Sequence, residues 1–246
     1  MAGNKQDDNT IATLRNVVAM VQLVERVNSR APTLPGMATF FGPSGYGKSS
    51  AATYAANVFN AYHIQAKSTW TKKSLCEALA NELGLDRSGR IDPMMEAIAR
   101  ELACTGRPLL IDEADHIVER GLIELVRDIY EGSEAAIILI GEEELPRKLS
   151  RWERVHGRML AWVGAEPGVM GDVDQLAQIY CRGVEIEPTL KEHLLAESNH
   201  SIRRICVNLD DVRLFAQARG TGRVTRADWG DRPFFTGVAP RPRGLK

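Results

Sequence analysis

Two short runs carry side chains whose types and spacing suit phosphate chemistry. The first, Gly42-Pro43-Ser44-Gly45-Tyr46-Gly47-Lys48-Ser49, matches GxxxxGK[ST] in full and is followed by Ser50. Its glycines let successive backbone N–H groups turn inward around phosphate oxygens, and a following helix adds the positive end of its dipole. Lys48 is placed to neutralise β and γ phosphates, and the Ser49 hydroxyl to ligate Mg²⁺. The second run, Leu109-Leu110-Ile111-Asp112-Glu113, is an apolar stretch ending in two carboxylates. Asp112 is suited to hold Mg²⁺ through its shell, and Glu113 to orient and polarise an attacking water. Alone, each run has a plain reading, a glycine-rich turn and a solvated acidic loop. Together they point to Mg²⁺-assisted hydrolysis of a nucleoside triphosphate.

These residues need a scaffold, and the hydrophobic pattern supplies one. Met37 to Phe41 reads as a strand entering the glycine-rich loop, with Lys48 to Ala61 as the helix leaving it. Tyr62 to Ala66, Pro108 to Ile111, Ala135 to Ile140 and Met159 to Val163 read as further strands, mostly continuous apolar runs of the kind buried on both faces. Helical spacing covers Thr10 to Asn28, with Ile11, Leu14, Val17, Val18, Val21, Val24 and Val27 on one face; it recurs over Thr71 to Leu83 and Leu122 to Tyr130. A helix over Asp92 to Ala103 is expected to open with Asp92 as N-cap and Pro93 at its first position. Alternating strands and helices predict an α/β fold with a five-stranded parallel sheet flanked by helices. After Gly171 the pattern predicts helices only, over Asp172 to Cys181, Pro188 to Glu197 and Ile202 to Ala218. The expected organisation is a nucleotide-binding domain with an N-terminal helix (1–168), a small helical lid (169–230) and a flexible basic tail (231–246).

Composition narrows the class. The 246 residues are 44% hydrophobic with 31 Lys+Arg against 32 Asp+Glu, a net charge of -1 that offers no global attraction for nucleic acid. The balance is uneven: residues 91–150 sum to -8 and residues 201–246 to +6. The polar start MAGNKQDDNT carries no apolar core of a secretory signal, and Val17 to Val24 is too short to span a membrane, so a cytoplasmic location is expected. Cys76, Cys104, Cys181 and Cys206 form no CxxC pair and are expected to be buried thiols.

The two chemical runs and their setting resemble the AAA+ ATPases, a P-loop NTPase family, and the resemblance implies ATP as the nucleoside triphosphate. The resemblance implies a polar sensor after the fourth strand, where this chain has Glu142 instead of the commoner Asn or Thr. It implies an arginine finger ahead of the fifth strand, for which Arg151, Arg154 and Arg158 are candidates and Arg154 is preferred. It implies a sensor arginine opening a lid helix, matched by Arg203 with Arg204 in reserve; Asn199 or His200 stands where the family usually has glycine. Within AAA+, GPSGYGKSS, LLIDEADHI, IILIGEEELPRKLSRWERVHGRM and SIRRICVNLDDVRLFA resemble the compact transposition regulators of Mu-type transposable phages.

That resemblance implies a slow, partner-stimulated ATPase whose subunits assemble on double-stranded target DNA as a helical filament and engage a transposase. DNA contacts would then fall on Lys67, Thr69, Lys72 and Lys73, whose plain reading is solvated surface, with Trp70 expected to pack. Arg232, Arg241 and Arg243 are further candidates beside the default of a solubilising tail. The alternative function is a replication-initiator or helicase-loader ATPase. A membrane-associated secretion ATPase and a non-hydrolysing scaffold are remoter readings.

Overall fold

The computed structural model describes residues 14–238. Thr10, Ile11, Arg241 and Arg243 lie outside the described residues. Five runs form one sheet, the central three buried nearly throughout: β1 (Met37–Phe41), β2 (Tyr62–Gln65), β3 (Leu109–Asp112), β4 (Ile137–Gly141) and β5 (Met159–Gly164). They lie in the order β2-β3-β4-β1-β5, every neighbouring pair parallel. β3 and β4 are buried along their whole lengths. This arrangement brings the carboxyl ends of β1, β3 and β4 to one edge, where open α/β sheets bind ligands.

The helices of this unit are α1 (Arg15–Asn28), α2 (Lys48–Phe59), α3 (Lys72–Glu82), α4 (Ile91–Thr105), α5 (Asp115–Glu119), α6 (Ile123–Ser133), α7 (Leu145–Leu149) and α8 (Glu153–His156). α2 packs on β2, β3 and β4 through Ala51, Ala52, Ala55 and Ala56, whose small side chains permit a close approach to the sheet. The apolar face of α1 differs from the spacing expected. Val18 is exposed, and Met20 and Leu23 fill the face with Val17, Val24 and Val27, alongside a buried Asn16. α4 begins one residue before Asp92, so Arg90 is its N-cap and Asp92 lies in the first turn, where its charge still favours the helix dipole. Trp70 packs, half-buried, against the core beneath α3 and α4.

The chain divides into two compact units, Asn16–Glu166 and a second that joins Arg15 to the residues from Pro167 onward. The second unit contains α9 (Met170–Tyr180), α10 (Pro188–Glu197), α11 (Ile202–Arg219) and α12 (Arg226–Trp229). It is not helix only: β6 (Glu185–Ile186) pairs in parallel with β7 (Arg223–Val224). Two-residue strands leave no apolar run to read, since each contributes one buried side chain, Ile186 or Val224. The expected free tail is also corrected over 231–238. Phe234 is buried and stacks on Trp229 at 4.7 Å, and the Phe235 N–H donates to the Asn208 side chain at 2.7 Å.

The thiols follow expectation only in part. Cys76 and Cys181 are buried and Cys206 is half-buried, but Cys104 is exposed near the end of α4. Among the described residues no helix is long and apolar enough to cross a membrane.

Candidate nucleotide site

The loop after β1 takes its shape from glycine. Gly45 and Gly47 adopt φ of 87° and 82°, a region that costs an L side chain strain, and Gly47 caps the N-terminus of α2. The helix therefore starts at Lys48, with its first N–H groups facing the loop. The Lys48 ammonium donates to the carbonyls of Gly42 at 2.6 Å and Pro43 at 3.0 Å, which holds it within the loop's curve. Burial lowers its pKa from the usual lysine value, and the charges of Glu113, Asp112, Glu142 and Asp115 act against that shift. Ser49 and Ser50 lie exposed on the first turn of α2.

Asp112 closes β3 with only 3% exposure. Glu113 follows with φ of 54°, a left-handed conformation rare outside glycine and found preferentially at functional sites. Its N–H donates to Asp112 Oδ1 at 2.9 Å, and its carbonyl accepts from His116 N–H at 3.1 Å. Burial first, and the Asp112 charge second, push the Glu113 carboxyl above the ordinary range; His116 and Lys48 pull the other way. A raised pKa makes the carboxylate a stronger proton acceptor.

Glu142 leaves β4 beside this pair with an exposed side chain, while its backbone N–H donates to Asp115 Oδ2 at 2.6 Å. Gly42 N–H reaches the Gly141 carbonyl at 3.3 Å, linking the glycine-rich loop to the end of β4. Two further residues that pattern reading did not single out hold this edge. Asn16 donates to the Tyr46 carbonyl at 2.9 Å and the Glu166 carbonyl at 2.8 Å, and accepts from Glu166 N–H at 2.9 Å. Asp115 accepts from Lys148 Nζ at 2.7 Å. The available signals were slight: a lone amide within an apolar helix stripe, and a second acid, beyond Glu113, after Asp112.

Among the described residues no group of three or more His, Cys, Asp or Glu side chains is arranged to hold a metal alone. Ser49 and Asp112 offer one hydroxyl and one carboxylate. That small oxygen set fits Mg²⁺, which retains waters and takes further ligands from substrate phosphates.

The arginines ahead of β5 separate. Arg158 pairs with Glu131 at 2.5 Å, whereas Arg151 and Arg154 are exposed and form no ion pair among the described residues. Lys67, Thr69, Lys72 and Lys73 are all exposed around the start of α3; Lys73 lies 3.8 Å from Glu77. In the second unit Arg203 is exposed in the first turn of α11 and Arg204 is half-buried. The turn before them carries Asn199 and His200 with φ of 47° and 56°, so two non-glycine residues adopt the left-handed backbone there. His200 is anchored by a 2.8 Å contact between Nδ1 and the Gly168 carbonyl, and Gly168 N–H donates back to the His200 carbonyl at 2.8 Å.

With strand order and loop geometry in place, the comparisons with known proteins agree. Residues 33–149 match the family model described as AAA domain. Over these residues, just under half of the chain, the sequence is similar to AAA domains. The chain is 24% identical over 229 residues to the Mu-like prophage FluMu DNA transposition protein B of Haemophilus influenzae, a match covering 88% of this chain and 74% of the relative. Its AAA+ P-loop NTPase fold resembles Aeropyrum pernix Orc1 solved in complex with DNA (TM-score 0.63, 17% identity, 90% of this chain and 65% of that one). It also resembles the ADP form of Aeropyrum pernix Orc2 (0.65, 15%, 91% and 68%) and Cdc6 of Pyrobaculum aerophilum (0.61, 14%, 89% and 66%). The chain thus spans about two thirds of the length of these structural relatives.

Proposed function

We propose that this AAA+ protein is an Mg²⁺-dependent ATPase that assembles on double-stranded DNA as a helical filament and regulates a transposase. The observation that carries the reading is one juxtaposition: Lys48 is held in its glycine-rich loop by the Gly42 and Pro43 carbonyls, and Gly42 bonds to Gly141 at the end of β4, the strand beside the one that ends at Asp112 and leads into Glu113. The likeness to a prophage transposition protein B over most of the chain supports the assignment of a partner.

Residues 42–50 would hold the nucleotide: loop N–H groups meet its phosphate oxygens, and Lys48 exchanges its two carbonyl partners for phosphate. Ser49 and Asp112 would hold Mg²⁺, which supplies charge neutralisation across the phosphates. Glu113 orients water and takes its proton, helped by a pKa raised through burial. Glu142, which follows β4, is assigned the sensor role toward that water or the γ phosphate. Arg154, exposed and without an ion-pair partner among the described residues, is assigned to a neighbouring subunit's site, and Arg203, at the start of α11, to the sensor-arginine role. Lys67, Thr69, Lys72 and Lys73 present exposed donors to DNA phosphates, giving salt-sensitive and sequence-independent binding. The location that suits such a regulator is the cytoplasm.

Duplex DNA binding measured by anisotropy with ATP and with ADP tests this function. ATP-dependent binding that weakens steeply with salt, and that is lost in Lys48→Ala, is the expected result. Equal binding with either nucleotide, or unchanged ATP-dependent binding by Lys48→Ala, contradicts the reading.

A further inference from the structure

Asp115 lies three residues past Asp112, in the first turn of α5, with 5% exposure. Both of its carboxylate oxygens are engaged. Oδ2 accepts the Glu142 N–H at 2.6 Å, and Oδ1 accepts the Lys148 ammonium at 2.7 Å. Lys148 also donates to Glu119 at 2.7 Å, so the cation bridges two acids of α5. One residue earlier, Ala114 N–H donates to the Ile140 carbonyl at 2.8 Å. Consecutive residues of α5 and its cap are therefore tied to the exit of β4. The approach is close enough that a Cβ at Gly141 would overlap Asp115 Oδ2.

These bonds connect working parts. Gly141, flanked by Ile140 and Glu142, also accepts from Gly42 at the start of the phosphate loop. Lys148 belongs to α7, which is followed directly by Arg151 and by α8 with Arg154. A buried ion pair is weak support for stability alone, because desolvation offsets much of the Coulomb gain. Its value here lies in direction: one carboxylate fixes two segments that flank Glu113.

We propose that Asp115 is a positioning residue for the hydrolytic step, its carboxylate clamped by Lys148 so that Glu142 and the arginine-bearing α7–α8 segment keep their places relative to Glu113. This rests on the ATPase reading above.

The test compares Asp115→Asn, Lys148→Met and Lys148→Arg with the unaltered chain, measuring hydrolysis of ATP in the presence of duplex DNA and binding of a fluorescent ATP analogue. Asp115→Asn keeps an acceptor for Glu142 and loses the ion pair; Lys148→Met loses the same pair from a partly exposed side chain. Expected are kcat values about ten- to a hundredfold lower in both, as for a catalytic group displaced by a fraction of an ångström to an ångström. Analogue affinity should stay within about twofold, since the phosphate loop itself is unaltered. The double variant should be no slower than either single one, and Lys148→Arg should recover most of the rate. Unchanged kcat in both single variants overturns the proposal. So does a parallel fall in analogue affinity and melting temperature, which would mark Asp115 as a structural prop. An unaltered chain that neither binds nor hydrolyses ATP removes the ATPase reading and this proposal together, and it does so before any substitution is compared.

Discussion

The side-chain amide of Asn16 donates to the main-chain carbonyl of Tyr46, 2.9 Å away, and so ties the first helix to the phosphate loop. The same side chain pairs with both the N–H and the carbonyl of Glu166, at the far end of the nucleotide-binding unit. A loop that must present its N–H groups to phosphate benefits from such a fixed point, because ordering it then costs less on binding.

Asn16→Leu fits an apolar face but removes three hydrogen bonds. It should lower the stability of the unit by about 2 kcal/mol, the scale for leaving buried polar groups unmatched. ATP binding should weaken by about tenfold at the same time, a loss of about 1.4 kcal/mol. Denaturant titration and nucleotide binding check the two effects separately.

Glu113→Gln keeps the shape of the site and removes the carboxylate. It should retain ATP, hydrolyse it at least about a hundredfold more slowly, as expected on losing a general base, and prolong assemblies on DNA. Rapid turnover by this variant would contradict the role given to Glu113.

Protonation of Glu113 should set the acid limb of the pH–rate profile. Its raised pKa keeps the proton on to higher pH than for an ordinary carboxylate, so kcat should climb with pH through a limb displaced upward. His116 counteracts the shift, and His116→Asn should therefore move that limb to still higher pH. A limb that stays in place or moves down is inconsistent with the electrostatics of the site.

Thiol labelling should divide the four cysteines. Burial pushes the Cys76 and Cys181 thiols up to about 11, leaving little thiolate near neutrality, and Cys206 is shifted the same way. Exposed Cys104 should react first with a chromogenic disulfide in the folded protein. Mass spectrometry of early-labelled peptides identifies the site.

Phe234→Ala should destabilise the second unit by about 3 kcal/mol, the usual cost of deleting a buried aromatic ring, since Phe234 stacks on Trp229 and meets His193. A melting curve that does not change would indicate that residues 231–238 behave as the loose tail their proline- and glycine-bearing sequence suggests.

What was legible in the sequence was what repeats or runs. Continuous apolar stretches marked β1, β3 and β4, because burial on both faces leaves little alternation, while β2 and β5 showed as shorter or less buried runs, and the glycine-rich loop marked its own turn. The helix over Pro188 to Glu197 was legible to the residue. Less legible were features made by single side chains reaching across the fold. Asn16, Asp115 and Lys148 act through partners 150, 27 and 33 residues away in sequence, and a local pattern contains no trace of such distances. β6 and β7 escaped for a similar reason, since each is defined by its pairing. Phe234 looked like tail because its neighbours are turn formers, whereas one buried ring is enough to dock the segment.

Negative-stain electron microscopy of the chain on long duplex DNA, with ATP in one sample and ADP in the other, tests the central claim most directly. Continuous helical filaments with ATP and bare DNA with ADP are expected. Closed rings or dispersed particles with ATP, or filaments indifferent to the nucleotide, would contradict an ATP-switched assembly on target DNA.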